Sequence, residues 1–369
     1  MKKICHMTSV HNSYDTRIFY KECVSLANAG YEVYLVASGD SRQEMGVNIV
    51  GVGQTPSSRI KRMTYTANAV YKKALELDCE IYHIHDPELL PYGIKLKRKG
   101  KKVIFDSHEN YYEQINEKRY LSPIIRKLLS SFYISFETYC TKRFDAVIFP
   151  CTMQGKNIFD GRAKRVVFID NHPLLDELKT AERSRKTRTN SEFIVVYCGS
   201  LTEERGITIL VKAAYMANAR LYLAGRIDKE YLDTLTAMEE FSCVKYLGVL
   251  SRKKMMSLYN RSNVGAATLQ GVGQYLKTDN LPTKVLEYMG MELPVIVSEY
   301  PFSKAVIDKY KCGICVRPDN VKQIARAIET LRDNPYLAEQ MGKNGRKAVE
   351  EEFNWGSQEK KLLELYFRI

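Results

Sequence analysis

The stretch that decides the fold is FIVVYCGSLTEERGITILVKAAYM, residues 193–216. An apolar run ends at Cys198, a polar turn with Gly199 and Arg205 follows, and apolar residues with helical spacing begin after Gly206. This pattern predicts a buried strand followed by a helix. Backbone N–H groups at the start of such a helix attract anions. Arg205 could offer two parallel hydrogen bonds to a phosphate there. An ordinary strand-to-helix turn with a solvated arginine explains the same residues equally well.

The same alternation of short apolar runs and helical patterns continues on both sides of this stretch. Lys3–Met7 and Tyr31–Ala37, for example, are predicted strands on either side of a predicted helix. Such alternation predicts parallel sheets covered by helices on both faces. We therefore expect an α/β protein of two doubly wound, Rossmann-like domains, residues 1–173 and 191–356, with a polar linker over residues 174–190. Two such domains that face each other make a cleft, with room for a donor on one side and an acceptor on the other.

The composition is that of a globular protein with a basic excess. Of 369 residues, 45% are hydrophobic and 27% charged, and the formal net charge is +13, which favours anionic partners. No nucleic-acid-binding motif occurs, so we expect no nucleic-acid partner. Nine scattered cysteines predict free thiols in a reducing compartment. We find no signal peptide and no run of about 20 apolar residues. We therefore expect a cytoplasmic protein, and peripheral attachment to the inner face of the plasma membrane is compatible with this.

A second polar segment is DNLPTKVLEYMG, residues 279–290. Pro282 can open a helix, which places Lys284 in the first turn and Glu287 about one turn later. A lysine in the first turn opposes the helix dipole unless an anion lies there. Carboxylates at Asp279 and Glu287 could accept hydrogen bonds from sugar hydroxyls. The spacing alone favours an amphipathic helix whose charged residues are merely solvated.

Polar residues also follow three predicted strands in the first half of the chain. They lie in Asp106–Ser107–His108–Glu109, in His83–Ile84–His85–Asp86, and in the loop that holds His11, Asp15 and Arg17. Because the carboxyl ends of parallel strands form the ligand-binding edge of a sheet, these residues suit proton handling or acceptor binding. Capped turns explain the first two segments equally well. The loop lacks a glycine-rich dinucleotide fingerprint, which argues against an NAD enzyme.

The predicted helix from Pro123 to Arg143 combines basic and large apolar side chains. Arg126 and Lys127, for instance, lie next to apolar residues such as Leu128. A basic amphipathic helix can lie on an anionic membrane surface. A core helix with one solvated face is the alternative.

Taken together, these segments resemble glycosyltransferase family 4, a retaining family with the GT-B architecture, and within it a bacterial surface-polysaccharide branch. The resemblance covers nearly the whole chain. Its most specific part is PTKVLEYM at 282–289, which is similar to the family's donor-binding helix. Weaker similarities are to the family's first helix at 15–18, its polar motifs at 85–90 and 106–109, its phosphate loop at 199–206, and its tail, FNW at 353–355. The tail implies that a final helix, residues 357–369, crosses back to the first domain.

The resemblance implies roles for the matching positions. Arg205 would hold the donor diphosphate and Glu287 the ribose hydroxyls, while Asp279 would lie near the transferred sugar and His108 beside the reacting sugar. The expected catalytic residues are His108, Asp279 and Glu287. The expected donor-binding residues are Gly199, Ser200, Arg205, Lys284 and Glu287. The expected acceptor-side residues are His11, Asp15, Arg17, Asp106 and Glu109.

Three positions depart from the family pattern. Ser200 stands where many members have an arginine, so one phosphate contact must come from elsewhere, and Lys284 is the candidate. Asp279 replaces the longer glutamate of a paired-carboxylate motif. His11–Asn12–Ser13 replaces a glycine-rich loop.

We expect from the resemblance a retaining, metal-independent glycosyltransferase that uses no cofactor. Its donor would be a nucleotide-sugar, with a UDP-sugar favoured. Its acceptor would be a glycan or a polyprenyl-diphosphate-linked sugar in the synthesis of capsule, O-antigen or exopolysaccharide. Another GT-B enzyme, such as a nucleotide-sugar epimerase, and a non-catalytic basic binding protein remain alternatives.

Overall fold

The computed structural model describes residues 2–54, 56, 58, 61–116, 121–182, 192–271 and 276–369, with the backbone alone for residues 179–182. The chain divides into two compact units. The first comprises residues 1–171 and 356–369, and the second residues 172–355. Each unit contains a largely parallel sheet with helices packed on it. The predicted α/β class, with two parallel-sheet domains, is confirmed.

Within the described residues, the sheet of the first unit has eight strands. They are β1 (Lys3–Asn12), β2 (Glu32–Ser38), β3 (Arg42–Glu44), β4 (Val47–Gly51), β5 (Ile81–Ile84), β6 (Lys102–Asp106), β7 (Ala146–Phe149) and β8 (Val166–Phe168). Their order is β3-β4-β2-β1-β5-β6-β7-β8, and only β3 and β4 pair antiparallel. The chain goes from β1 to β2 on one side and later to β5 on the other. The topological switch point, where such sheets bind ligands, is therefore between β1 and β5.

The helices of the first unit include Pro123–Thr141, which ends two residues before the predicted Arg143. A π-type helix, Thr16–Cys23, continues as the α-helix Val24–Asn28, and Asp15 caps it by accepting hydrogen bonds from the N–H groups of Arg17 and Ile18. The other α-helices described in this unit are Ala67–Glu76, Leu90–Arg98, Tyr111–Asn116 and Pro123–Thr141. The final helix of the chain, Trp355–Arg368, also belongs to this unit from residue 356 onward.

The second unit repeats the arrangement with six strands among its described residues. They are β9 (Ile194–Cys198), β10 (Arg220–Ala224), β11 (Val244–Tyr246), β12 (Val264–Ala267), β13 (Val295–Ser298) and β14 (Gly313–Val316), in the order β11-β10-β9-β12-β13-β14. All neighbouring strands are parallel. The switch point of this sheet is between β9 and β12.

The helices of the second unit include two that the sequence analysis named, Ile207–Met216 after Gly206 and Thr283–Gly290 after Pro282. The other α-helices described in this unit, apart from Leu175–Glu182, are Lys229–Thr236, Arg252–Arg261, Pro301–Tyr310, Val321–Asp333 and Pro335–Glu351. Pro301–Tyr310 and Pro335–Glu351 each have a proline at the start, where the missing N–H costs no helical hydrogen bond.

Part of the predicted linker over residues 174–190 is helical. The helix Leu175–Glu182 lies within it, and Leu178 is fully buried against Gly290. Burial of this leucine attaches the start of the helix to the second unit. Residues 183–190 lie outside the described part of the chain.

Candidate functional site

The switch point of the first unit gathers polar side chains from the carboxyl ends of β1 and β5. Asp86, directly after β5, is buried and accepts hydrogen bonds from the hydroxyl of Thr8 at 2.9 Å and from the backbone N–H groups of Ser9 and Val10 at 2.6 and 3.2 Å. These bonds fix the carboxyl-terminal part of β1. His11 follows in the same strand and donates its backbone N–H to Thr8 Oγ1 at 3.0 Å.

The first unit also contains a buried ion pair between Arg17 and Asp106. Arg17 donates two hydrogen bonds to Asp106, from Nε at 2.8 Å and from Nη2 at 3.0 Å, and two more to the carbonyl oxygen of Ile169. Burial alone would raise the pKa of Asp106, but the charges of Arg17 and His108 hold it well below its usual range. Arg17 and Asp106 therefore satisfy each other inside the unit, and the acceptor-side role expected for both stays a prediction.

Two histidines stand at the partly exposed edge of this cluster. His108 Nε2 lies 3.3 Å from Asp106 Oδ2 and 3.2 Å from His85 Nδ1, and its ring centroid is 4.9 Å from that of His11. His11 Nδ1 lies 3.1 Å from Asp15 Oδ2. Burial disfavours the imidazolium of His11, yet the hydrogen bond to Asp15 and the nearby carboxylates give a net rise in its pKa. The exposed fractions of the side chains are 13% for His108 and 29% for His11, so both can reach a ligand.

Behind His108, the interior of the first unit holds three more histidines: His83 and His85, from one of the predicted polar segments, and His6, which the sequence analysis did not single out. His6 Nδ1 lies 2.9 Å from His85 Nε2, and the hydroxyl of Tyr366 lies 3.2 Å from His6 Nε2 and 2.8 Å from His83 Nδ1. Burial, followed by repulsion among the rings, lowers the pKa values of His6 and His83 well below the usual one. Glu22 is buried among them, and burial together with Asp106 raises its pKa.

The sequence did carry a signal for this cluster. His83 lies on β5 and His85 directly follows it, two residues apart in extended chain, so they point to one face of the sheet, and His6 pairs with His83 in the register of β1 and β5. Glu22 and Tyr366 come from helices, and no local pattern could have connected them to these strands.

The switch point of the second unit is built around glycines. A Cβ on Gly206 would lie 2.0 Å from the carbonyl oxygen of Thr268, which follows β12, and one on Gly225 would lie 1.8 Å from the carbonyl oxygen of Gly199. Gly199, Gly206 and Gly225 all have positive φ. Only glycine permits both the conformation and the close approach of these backbones. The loop from Gly199 to Gly206 therefore lies tightly against the end of β12.

Lys284, in the first turn of Thr283–Gly290, reaches this loop. Its Nζ would be 2.6 Å from a Cβ on Gly199, and it lies 3.7 Å from the centroid of the Tyr197 ring. Burial, followed by repulsion from Arg205, lowers the pKa of Lys284 to about 7. Within the described residues, no carboxylate forms an ion pair with it. Gly199, Arg205 and Lys284, three of the expected donor-binding residues, are thus brought together.

Glu287 occupies the buried side of the same helix. Its Oε1 accepts a hydrogen bond from Arg252 at 2.5 Å and its Oε2 one from the hydroxyl of Tyr259 at 3.1 Å, and Arg252 also pairs with Glu177 at 2.7 Å. Sequence analysis missed these three partners, because they come from other helices. Both oxygens of Glu287 retain acceptor capacity for a ligand, since each carboxylate oxygen can accept two hydrogen bonds.

The remaining predicted residues are less closely connected. Ser200 is exposed, and its carbonyl oxygen accepts a hydrogen bond from Tyr197. Asp279 is half-buried in the loop before the helix Thr283–Gly290. Glu109 is exposed, and its carbonyl oxygen accepts a hydrogen bond from Ser107.

Two family models match the chain, one in each half. The model described as Glycosyltransferase Family 4 matches residues 16–171, and the model described as Glycosyl transferases group 1 matches residues 179–348. The chain belongs to glycosyltransferase family 4. The first match includes β5 and His108 but begins after β1, and the second includes the Gly199 loop and Lys284, so the second switch point of this family 4 chain lies wholly in a matched segment and the first in part.

A curated relative agrees with this membership. The capsular polysaccharide biosynthesis glycosyltransferase CapM of Staphylococcus aureus is 26% identical over 190 residues, which are 49% of this chain and 47% of CapM. The chain matches about half the length of its curated relatives.

Solved structures show that the fold is GT-B. Sucrose-phosphate synthase from Thermosynechococcus elongatus has a TM-score of 0.75 at 17% identity, over 100% of this chain and 99% of that one. Anabaena HepE, in complex with UDP and glucose, has a TM-score of 0.72 at 13% identity, over 100% of both chains.

One helix of this family 4 chain presents an apolar face to solvent. Along Pro123–Thr141, the side chains of Ile124, Leu128 and Phe132 are 74%, 67% and 71% exposed. They are four residues apart, so they lie on one face. Among the described residues, no helix has the length and apolar character needed to cross a membrane.

Proposed function

We propose that this chain is a retaining glycosyltransferase that transfers a sugar from a UDP-sugar to a glycan or a polyprenyl-diphosphate-linked acceptor in the synthesis of a surface polysaccharide. The observation that carries the proposal is the position of Lys284 over the Gly199 loop. Membership of family 4 supports the reaction, and the complex of HepE with UDP and glucose supports the donor. The description of CapM supports the polysaccharide product.

The donor diphosphate would bind where two cationic side chains and a helix N-terminus converge. Lys284 and Arg205 are close enough for their charges to repel, and a diphosphate between them would relieve that repulsion. The N–H groups that begin the helix Thr283–Gly290 add partial positive charge. Lys284 would supply the contact that an arginine at position 200 supplies in many family members. Glu287 would accept hydrogen bonds from the ribose, and Asp279 would lie near the transferred sugar.

The same positive charge would drive the reaction without a catalytic metal. Cleavage of the sugar–phosphate bond places negative charge on the leaving diphosphate, and fixed donors aimed at that charge lower the barrier. Retention of configuration is proposed from family membership.

On the acceptor side, we propose that His108 contacts the reacting sugar or the acceptor hydroxyl. Asp106 and His85 orient its ring through Nε2. His11 and its partner Asp15 would line the same position. Arg17 would act only by holding Asp106.

The experiment that tests the proposed function has two stages. Isothermal titration against UDP, GDP, ADP and CMP identifies the donor class, and we expect UDP to bind best. Incubation of the UDP-sugars with simple glycosides, in EDTA or in Mg²⁺, then tests transfer, and NMR of the product gives its anomeric configuration. An inverted product would refute retention, and transfer only with added Mg²⁺ would refute metal independence. Interconversion of UDP-sugars without any acceptor would favour the epimerase alternative.

We further propose that the helix Pro123–Thr141 binds an anionic membrane surface, where a polyprenyl acceptor would lie. Ile124, Leu128 and Phe132 would enter the interface, and the exposed Lys127 would approach lipid phosphates. Co-sedimentation with phosphatidylglycerol vesicles, but not with phosphatidylcholine vesicles, is expected.

The triple variant Ile124→Glu, Leu128→Glu, Phe132→Glu is expected to abolish this sedimentation. Tyr336→Glu is the matched control, since Tyr336 is 75% exposed in the other unit. Equal sedimentation of the triple variant and the control would refute a role for this helix.

A further inference from the structure

Four buried side chains in the first unit aim a donor atom at one point. Glu22 Oε2 lies 3.9 Å from each of His6 Nδ1, His83 Nε2 and His85 Nε2, and His6 Nδ1 lies 2.9 Å from His85 Nε2. None of the four side chains is exposed to solvent. Three imidazoles and a carboxylate in this arrangement form a ligand set of the kind that holds zinc.

Hydrogen bonding alone does not satisfy this cluster. The contact between His6 and His85 fits one hydrogen bond, in which one ring carries the shared proton. That arrangement leaves His83 Nε2 and Glu22 Oε2 without a hydrogen-bond partner. Buried polar atoms without partners are costly and uncommon in native structures. A cation at the centre would engage all four donor atoms at once.

The groups around the four residues are those that orient metal ligands. The hydroxyl of Tyr366 lies within hydrogen-bond distance of the outward nitrogens of His6 and His83. The outward nitrogen of His85 lies 3.5 Å from a carboxylate oxygen of Asp106. The other oxygen of Glu22 lies 3.1 Å from Nε of Arg17 and forms an ion pair with it, although the Nε–H itself is donated to Asp106. Ligating histidines and carboxylates are held by such outer partners in most metal sites.

We propose that His6, Glu22, His83 and His85 bind one divalent transition-metal ion, with Zn²⁺ preferred, in a closed structural site. Bonds of about 2.0–2.1 Å in a tetrahedron place ligand atoms roughly 3.4 Å apart. Four of the six separations are 2.9 or 3.9 Å and differ from this by about half an ångström each way, and the other two are no longer than 4.8 Å. Side-chain movements of that size would complete the tetrahedron.

The ion would stabilise the unit and take no part in sugar transfer. Since all four ligands are buried, no coordination position remains for a substrate, in contrast to a catalytic zinc site. It would connect β1 and β5 to Glu22 of the first helix and, through Tyr366, to the final helix Trp355–Arg368. Insensitivity of the transfer reaction to brief EDTA treatment would therefore leave this proposal unaffected.

Metal analysis of the untagged full chain, purified without chelators from zinc-supplemented cells, tests the proposal. We expect about one zinc per chain. His83→Asn removes Nε2 but keeps an amide near the position of Nδ1 for Tyr366, and it is expected to lower the zinc content more than tenfold. His172→Asn is the matched control, because His172 is a buried histidine of the other unit. Tyr366→Phe should weaken zinc binding by about 10- to 100-fold while leaving the four ligands in place.

A measurement on the unaltered chain covers the case in which His83→Asn does not fold. Replacement of zinc by Co²⁺ should give the intense visible absorption of a tetrahedral site, and zinc K-edge spectroscopy should show about three imidazole ligands. A folded wild-type chain that takes up neither Zn²⁺ nor Co²⁺ would overturn the proposal. Undiminished zinc in folded His83→Asn would do so as well.

Discussion

Replacement of Lys284 by methionine tests the donor site most directly. The substitution keeps the length of the side chain and its contact with Tyr197 but removes the charge that faces the Gly199 loop. A hydrogen bond to a charged group contributes about 1.5–3 kcal/mol. We therefore expect UDP-glucose to bind about 10- to 150-fold more weakly. Lys212→Met, on the exposed face of the helix Ile207–Met216, should leave the affinity unchanged.

The pH dependence of the same affinity gives a second test, and its sign follows from the lowered pKa. In the free protein the pKa of Lys284 is about 7, and a bound diphosphate would raise it. Above pH 7, binding must then take up a proton, so affinity is full below pH 7 and falls as the pH rises. Between pH 6.5 and 8.5 we expect a loss of roughly 20-fold. UDP-glucose is the probe, because its diphosphate is a diester and does not itself titrate in this range.

Isothermal titration in buffers of different ionisation enthalpy measures both the affinity and the proton uptake. Lys284→Met should bind weakly at every pH and take up no proton. The folded state disfavours the ammonium, so the unliganded variant should unfold at a temperature no lower than that of the wild type at pH 7, which excludes misfolding. A wild-type affinity that is flat from pH 6.5 to 8.5 and equal to that of Lys284→Met would refute the assignment of Lys284 to the diphosphate.

Three further substitutions test how the two switch points are built. Glu287→Ala should lower the free energy of unfolding, measured in urea titrations, by about 1–3 kcal/mol, because the guanidinium of Arg252 and the hydroxyl of Tyr259 lose their acceptor. Glu287→Gln should cost less, and equal stability of the two variants would contradict this reasoning. Gly225→Ala should cost more than about 2 kcal/mol and weaken UDP binding, because its Cβ would clash with Gly199. Gly53→Ala, which also has positive φ but has open space around it, should cost about 1 kcal/mol and is the control. Asp15→Ala should lower the melting temperature, because the lost helix cap contributes about 1 kcal/mol to the free energy of unfolding. Asp15→Asn, which keeps a capping oxygen, should have a melting temperature close to that of the wild type.

The sequence predicted the fold well because the alternation of buried strands and amphipathic helices is a local signal. The strand at 193–198 and the helix after Gly206 lie where the apolar pattern placed them. The helix Leu175–Glu182 was missed because its surroundings are rich in charge, and only its packing against Gly290 shows that Leu178 is buried. Burial of one residue against a distant helix leaves no trace in the local pattern.

The candidate site was predictable to the extent that its residues lie at strand ends. Positions at or beyond the carboxyl ends of β1, β6 and β9 lie at the ligand-binding edges of doubly wound sheets, so His11, His108 and Arg205 could be chosen from the sequence alone. Their partners could not be chosen in this way. Arg252 reaches Glu287 from a helix 35 residues earlier in the chain, and no spacing rule connects the two.

The buried histidines differ from the strand-end residues and from their partners. Their spacing in the sequence showed that His83 and His85 share a face, but whether His6 joined them depended on the register of β1 and β5. Alternate residues of a strand share a face, so His83 and His85 were bound to lie together. Whether they met another histidine depended on the pairing of β1 with β5. A shift of one residue in that pairing would have turned His6 to the opposite face of the sheet. The observed register pairs His6 with His83 and brings three imidazoles onto one buried face, where apolar side chains would otherwise pack. Burying three imidazoles is costly unless a ligand binds their nitrogens. This cost is the physical reason to look for a metal ion in this cluster before looking for one at the proposed sugar-binding site.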